Sequence, residues 1–334
     1  MASEASGRGS HLLRRSKVPA RRLEGAVAEL VGARVVGLGP LSARGRFNDA
    51  VAMCTADGRW WAVRVAPNPA WFPVLRVERG MLGREAALAA ILGEDGPVPA
   101  VRFFDDGGLL GGSQMMVREL LPGRNGQDLL DRCPDAASEI WRAMTRFDQS
   151  LPSLADHQVG FPGAWMLRWS EVLQALGESF LADLVDHRID TPSCNRFVSR
   201  MSRASGALDA RPLRLCHGDL WPKNALFESL AGDEACPSHL GDMKVLDWER
   251  AFVGDPMTQW IRLDGAGGTV LSIDSDPLRP TSAAKDCPEA LQVVYAGVVG
   301  LQMLAESLRN PVDICLAARL VADAAEIVEG SDDW

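Results

Sequence analysis

No run of apolar residues in this 334-residue chain reaches the roughly 20 residues that cross a bilayer as a helix, so no membrane association is expected. The basic N-terminal stretch (Arg8, Arg14, Arg15, Lys17, Arg21, Arg22) lacks the apolar core of a secretory signal. Cysteine is sparse: seven residues, an odd number, with no C-x-x-C pair. That argues against a disulfide frame or a zinc site and fits a reducing, cytoplasmic setting. Excess positive charge is missing too. The formal net charge is −9, which disfavours nucleic acid and is compatible with a cationic small-molecule partner. Tyrosine occurs once against ten tryptophans. Trp60, Trp61, Trp141, Trp165 and Trp169 read as core or surface anchors rather than as a ligand-stacking box. No internal repeat is evident.

Hydrophobic residues make up 47% and charged residues 24%, the balance of a soluble enzyme large enough to divide into two lobes. Residues 23–31 carry helical spacing. Val35–Gly39, Val51–Cys54 and Trp60–Val65 then read as strands, the last two joined by the turn Ala56-Asp57-Gly58. Val101–Phe104 and Gln114–Leu121 add two more. Beyond residue 121, apolar residues recur at three- and four-residue intervals over 136–147, 165–185, 197–208, 290–308 and 313–328, which predicts helices. Residues 264–288, rich in Gly, Asp, Ser and Pro, predict a long loop.

The chemistry concentrates in Cys216-His217-Gly218-Asp219-Leu220-Trp221-Pro222-Lys223-Asn224 and in Val245-Leu246-Asp247-Trp248-Glu249. Asp219 lies two after a His and five before an Asn, the H-x-D-x-x-x-x-N spacing of a kinase catalytic loop. In that arrangement the Asp takes the proton of the attacking hydroxyl, while the Asn and a later Asp hold Mg²⁺ on the nucleotide phosphates. The short apolar run Ala225–Phe227 and its sequel Met243–Leu246 predict a hairpin that returns the chain to one edge, where Asn224 and Asp247 can share a cation. His217 reads as a structural residue of the loop, and Lys223 as pointing to solvent.

Several features depart from protein kinases. Trp221 stands where those enzymes carry Lys or Arg, the metal segment reads Asp-Trp-Glu, and no Ala-Pro-Glu follows. H-G-D-L-W-P-K-N with L-D-W-E-R-A-F-V-G-D-P resembles the aminoglycoside phosphotransferase and choline kinase family. That family's tail, Gly-Asp-Pro-x-x-Asp, is matched by Gly254-Asp255-Pro256 and departs at Gln259.

The resemblance implies an α+β, two-lobed protein-kinase-like fold, with a small β-rich N-lobe and a large, mainly helical C-lobe. The expected division is a flexible basic tail over 1–20, the N-lobe over 21–121 and the C-lobe over 122–334. It implies ATP or GTP with Mg²⁺, Asp219 as base, and Asn224 and Asp247 as metal ligands. Arg64 is expected to grip the α/β-phosphates, braced by Glu85, with Glu78 as the rival brace. Ser42 and Gly45 belong to the loop over the phosphates, and the hinge contacts to adenine fall on the Glu119 carbonyl and the Leu121 N–H. For a cationic hydroxyl acceptor the candidate carboxylates are Glu249, Asp264, Asp332 and Asp333. The implied activity is phosphorylation of an aminoglycoside, aminocyclitol or related antibiotic, in resistance, self-protection or biosynthesis, by a monomer or homodimer. The alternatives are a metabolic kinase for choline, a fructosamine or an amino alcohol, and a non-catalytic pseudokinase.

Overall fold

The computed structural model describes residues 13–40, 47–153, 158–189, 191–228, 240–259, 287–309 and 314–330. The chain divides into two compact units: Met1–Val74 with Gly80–Gly123, and Leu75–Arg79 with Arg124–Trp334. Residues 75–79 thus belong to the second unit although they lie within the span expected for the N-lobe.

Among the described residues the first unit is a five-stranded antiparallel sheet with two helices. Strands β1 (Val35–Pro40), β2 (Asp49–Thr55), β3 (Trp60–Val65), β4 (Phe103–Asp105) and β5 (Met115–Glu119) take the order β1-β2-β3-β5-β4. The β2–β3 turn is sharp enough to need Gly58 at φ +82°. Helix α1 (Ala20–Val31) buries Leu23, Ala26 and Val27, one face at three- and four-residue spacing. That face joins a core with Met53, Trp61, Val63, Val65 and Val117. Residues 13–19 lie in the span expected as a loose tail, yet they are fastened to β2. The N–H groups of Arg15 and Ser16 donate to the Asp49 carboxylate at 2.9 and 2.7 Å. Helix α2 (Met81–Leu92) completes the unit.

The second unit is mainly helical. Among the described residues its helices are α3 (Gly126–Arg132), α4 (Ala137–Ser150), α5 (Trp169–Asp186), α6 (Pro192–Arg200), α7 (Ser205–Asp209), α8 (Glu289–Glu306) and α9 (Ile314–Gly330). In α8 the buried positions Leu291, Val294, Tyr295, Val298, Leu301, Leu304 and Ala305 form one stripe. It packs into a core with Phe197, Leu320, Val321 and Val328, each large side chain contributing about 1.5–3 kcal/mol. Two regions differ from the sequence reading. Residues 164–166 form a strand, and the helix expected from 165 begins at Trp169. The helix expected over 197–208 is three pieces: α6, a 3₁₀ turn at Met201–Ala204, and α7.

Two small sheets carry the loops of interest. Strands β6 (Arg124–Asn125), β10 (Ala225–Phe227) and β11 (Met243–Val245) pair in the order β11-β10-β6. Strands β7 (Val159–Phe161), β8 (Ala164–Met166), β9 (Arg214–Cys216) and β12 (Phe252–Gly254) pair as β8-β7-β12-β9. The single tyrosine anchors this region from α8. The Tyr295 hydroxyl donates to Asp255 at 2.8 Å, and Arg211 Nε donates to the same buried carboxylate at 2.7 Å. Burial first, and then Asp255, push the phenol's pKa up, so it stays a donor. Cys54, Cys194, Cys216, Cys287 and Cys315 are free thiols. Cys133 is disulfide-bonded, a bond the odd cysteine count did not foresee.

Candidate active site

Strand β9 feeds directly into the His217–Asn224 loop. His217 is fully buried, and its two ring nitrogens face different segments. Nδ1 lies 3.2 Å from the Asp219 N–H, which donates to it, so Nε2 carries the proton and donates to the Leu246 carbonyl at 2.9 Å. The neutral imidazole therefore links the loop to the segment that ends at Asp247. The edge of the Trp248 ring meets it with centroids 4.7 Å apart, and Trp248 Nε1 donates to Val245 at 2.9 Å.

Gly218 follows at φ +78°. The antiparallel pairing of Cys216 with Phe252, continued by one pleat repeat, sets Gly218 against Arg250. A Cβ there would lie 2.8 Å from the Arg250 carbonyl carbon and closer still to its oxygen. Only glycine fits this conformation and this approach together.

Asn224 and Asp219 are joined directly. Asn224 Nδ2 donates to the Asp219 carbonyl at 2.9 Å and to its carboxylate Oδ2 at 3.2 Å. With the amide nitrogen held on Asp219, Oδ1 is the atom left to face a cation. The predicted hairpin is present: Ala225 pairs with Val245 in β10–β11, and the Leu246 N–H donates to the Asn224 carbonyl at 2.8 Å. Asp247 comes next, at φ +69°, ψ 55°. A non-glycine residue in the left-handed region costs about 1–2 kcal/mol. Asp219, Asn224 and Asp247 are all partly exposed.

Glu249, a candidate for the acceptor, is buried, and its carboxylate lies within 4.8 Å of that of Asp247. The donors gathered here are an amide oxygen and carboxylates, with no thiolate or imidazole nitrogen among them. That set fits a hard cation such as Mg²⁺. Arg250 adds positive charge on the same turn. Burial alone would lower its pKa, but the carboxylates of Glu306, Asp219, Glu78 and Glu249 outweigh that and raise it. Glu78, the rival brace for Arg64, is engaged here instead, with Arg309 and Arg250. Lys223 is exposed and sits 4.9 Å above the Trp221 ring.

In the first unit Arg64 on β3 meets Glu85 on α2 at 2.6 Å, with Glu85 fully buried. A second guanidinium, Arg118 on β5, reaches the other Glu85 oxygen at 3.3 Å. Sequence reading missed it. The signal lies in the register: Arg64 pairs with Met116, which puts Arg118 diagonally beside Arg64 on the same face. Glu119 ends β5 and is exposed. The Leu120 N–H donates to Trp60 at 2.9 Å, and Leu121 is half-buried. Ser42, Gly45, Asp264, Asp332 and Asp333 lie outside the described residues.

Solved structures share this fold. The chain is similar to a thermostable mutant of aminoglycoside phosphotransferase APH(4)-Ia in a ternary complex with ADP and hygromycin B. Identity is 16%, covering 93% of this chain and 99% of that one, with a TM-score of 0.59. It is similar to a putative fructosamine-3-kinase from Thermobifida fusca at 18% identity, 92% and 99% coverage and TM-score 0.55. APH(2″)-IIa in a ternary complex with streptomycin and ATP gives 13%, 92%, 98% and 0.57. At such identities the likeness establishes the fold, the expected α+β, two-lobed kinase-like one. No curated protein matches. The model of the phosphotransferase enzyme family matches residues 43–258, a span that holds Arg64, Glu85 and the whole His217–Glu249 region. With more than half of its length under that model, the chain belongs to the phosphotransferase enzyme family.

Proposed function

We propose that this phosphotransferase uses ATP, or GTP, to phosphorylate a hydroxyl of a small cationic acceptor of the aminoglycoside or aminocyclitol kind. The observation that carries this reading is the bonding of Asn224 to both the carbonyl and the carboxylate of Asp219. It ties base and metal ligand into one rigid loop, and the hairpin brings Asp247 next to it.

Asp219 orients the acceptor hydroxyl. As the acceptor oxygen bonds to the γ-phosphorus, the bond to the bridging oxygen breaks, the hydroxyl proton passes to Asp219, and ADP leaves. Asn224 and Asp247 would hold Mg²⁺, which would neutralise charge on the phosphates. Arg64 contacts the α/β-phosphates, its fork aimed by Glu85, and a planar guanidinium suits two phosphate oxygens at once. Ser42 and Gly45 keep their proposed place over the phosphates, as do the Glu119 carbonyl and the Leu121 N–H at the adenine. Asp264, Asp332 and Asp333 remain the proposed acceptor carboxylates, joined by Glu249 at the metal side. The role in a cell is antibiotic resistance, self-protection or biosynthesis.

The likeness to a putative fructosamine-3-kinase, together with His-Gly-Asp-Leu-Trp, favours a metabolic sugar-amine kinase as the second reading. A panel of aminoglycosides, choline and fructosamines with Mg·ATP separates the two, read as ADP release and phosphate gain on the acceptor. ADP release that depends on an aminocyclitol is the expected result. Turnover of fructosamines alone moves the assignment to the second reading, and silence with every aminocyclitol defeats the first.

A further inference from the structure

Gln259, the residue at which the family's Gly-Asp-Pro-x-x-Asp pattern fails, is 5% exposed, and its amide is matched at both ends. Oε1 accepts from the His217 N–H at 3.1 Å and from the Gly218 N–H at 3.4 Å. Nε2 donates to Oδ1 of Asp148, which is 1% exposed on α4. The other carboxylate oxygen of Asp148 and its main-chain carbonyl accept from Arg214. Arg214 opens β9, the strand that runs into His217. The contacts therefore form a ring that leaves the strand at Arg214 and returns to the chain just beyond it, at His217 and Gly218.

The residue types are interdependent. A carboxylate at 259 could accept from the same two N–H groups, but it could not donate to Asp148. Two carboxylates facing each other in a buried site repel, and an unmatched buried acceptor is costly. Asp148 thus requires an amide at 259, and Arg214 requires a side-chain acceptor oxygen at 148, which a carboxylate or an amide can supply. We propose that Gln259 is a positioning residue for the catalytic loop, and that Arg214, Asp148 and Gln259 together fix the His217–Gly218 peptide and so the direction of Asp219. The kinetic consequence rests on the phosphotransfer reading; the geometric one does not.

Two readouts keep these apart: steady-state kinetics, and amide hydrogen exchange of the peptide spanning 214–221. Gln259→Glu is expected to lower kcat at least about tenfold with KM for ATP little changed, and to speed exchange in that peptide. Asp148→Asn combined with Gln259→Glu moves the one negative charge across the contact and restores the donor–acceptor match. It should recover kcat to within about threefold of wild type and slow the exchange again. A double variant no better than Gln259→Glu, or a Gln259→Glu protein with wild-type kcat and exchange, overturns the proposal. If Gln259→Glu does not fold, Gln259→Met keeps the length without the amide. Faster exchange at 214–221 then supports the brace, and unchanged exchange overturns it. A wild-type protein that transfers phosphate to nothing defeats the phosphotransfer reading instead, and leaves the exchange arm to decide the brace.

Discussion

Substituting Gly218 by Ala tests the loop geometry at its tightest point. The φ of +78° costs an L-residue about 1–2 kcal/mol. The added Cβ would also lie 2.8 Å from the Arg250 carbonyl carbon, where carbon–carbon contacts prefer about 3.5–4.0 Å. Both partners are backbone, so no side chain can turn away. Relief needs a movement of about 1 Å between the loop that carries Asp219 and the turn that follows Asp247, and such a misplacement costs about 10²-fold in rate. Gly218→Ala should therefore lose about 2–4 kcal/mol of stability and about 10²-fold in kcat. The assays are thermal unfolding and ADP release with saturating ATP. Gly25→Ala in α1 is the control: nothing lies within 4 Å of its Cβ, and it should be neutral or stabilise by up to about 1 kcal/mol. A Gly218→Ala protein with the melting temperature and kcat of the Gly25→Ala control would refute the reasoning.

Glu85→Gln removes the carboxylate on which Arg64 and Arg118 converge. It should cost about 3–5 kcal/mol in thermal unfolding and raise KM for ATP, whereas an unchanged KM would detach Arg64 from the nucleotide. The Glu306 carboxyl is subject to opposing effects: burial raises its pKa, and Arg250, together with the Gln302 hydrogen bond and Arg309, outweighs this and holds it below the usual carboxylate range. Its folded pKa being depressed, the stability it contributes is present above the unfolded carboxylate pKa and is lost as pH falls through the folded value. The difference in unfolding free energy between wild type and Glu306→Gln should accordingly shrink in acid; a difference that grows there would contradict the ion pair.

Local features were legible in the sequence and distant ones were not. Asp219, Asn224 and Asp247 sit on one loop and one hairpin, where spacing alone brings residues together. The Arg64–Glu85 contact could be anticipated from the family resemblance, which sets an acidic partner for the β3 cation on the next helix. Arg118 needed the β3–β5 register, which no single-strand pattern encodes. Gln259 read as a departure because its explanation, Asp148, lies 111 residues away in sequence. Ala164–Met166 reads in sequence as the start of a helix, because a three-residue apolar run carries no period of its own. The turn glycine at Gly163, φ +80°, is the signal that marks the strand. In sequence Glu249 is one acidic residue among several. Its burial beside Asp247 depends on the left-handed turn at Asp247, which composition does not announce.

Asp219→Asn probes the proposed role of Asp219 as the base of a phosphoryl transfer, held in place by Asn224. Nucleotide binding is followed by titration with Mg·ATP, and turnover by acceptor-dependent ADP release. ATP affinity is expected to stay close to wild type, with kcat lowered by about 10²–10⁴-fold. Turnover at the wild-type rate in that variant would contradict that role.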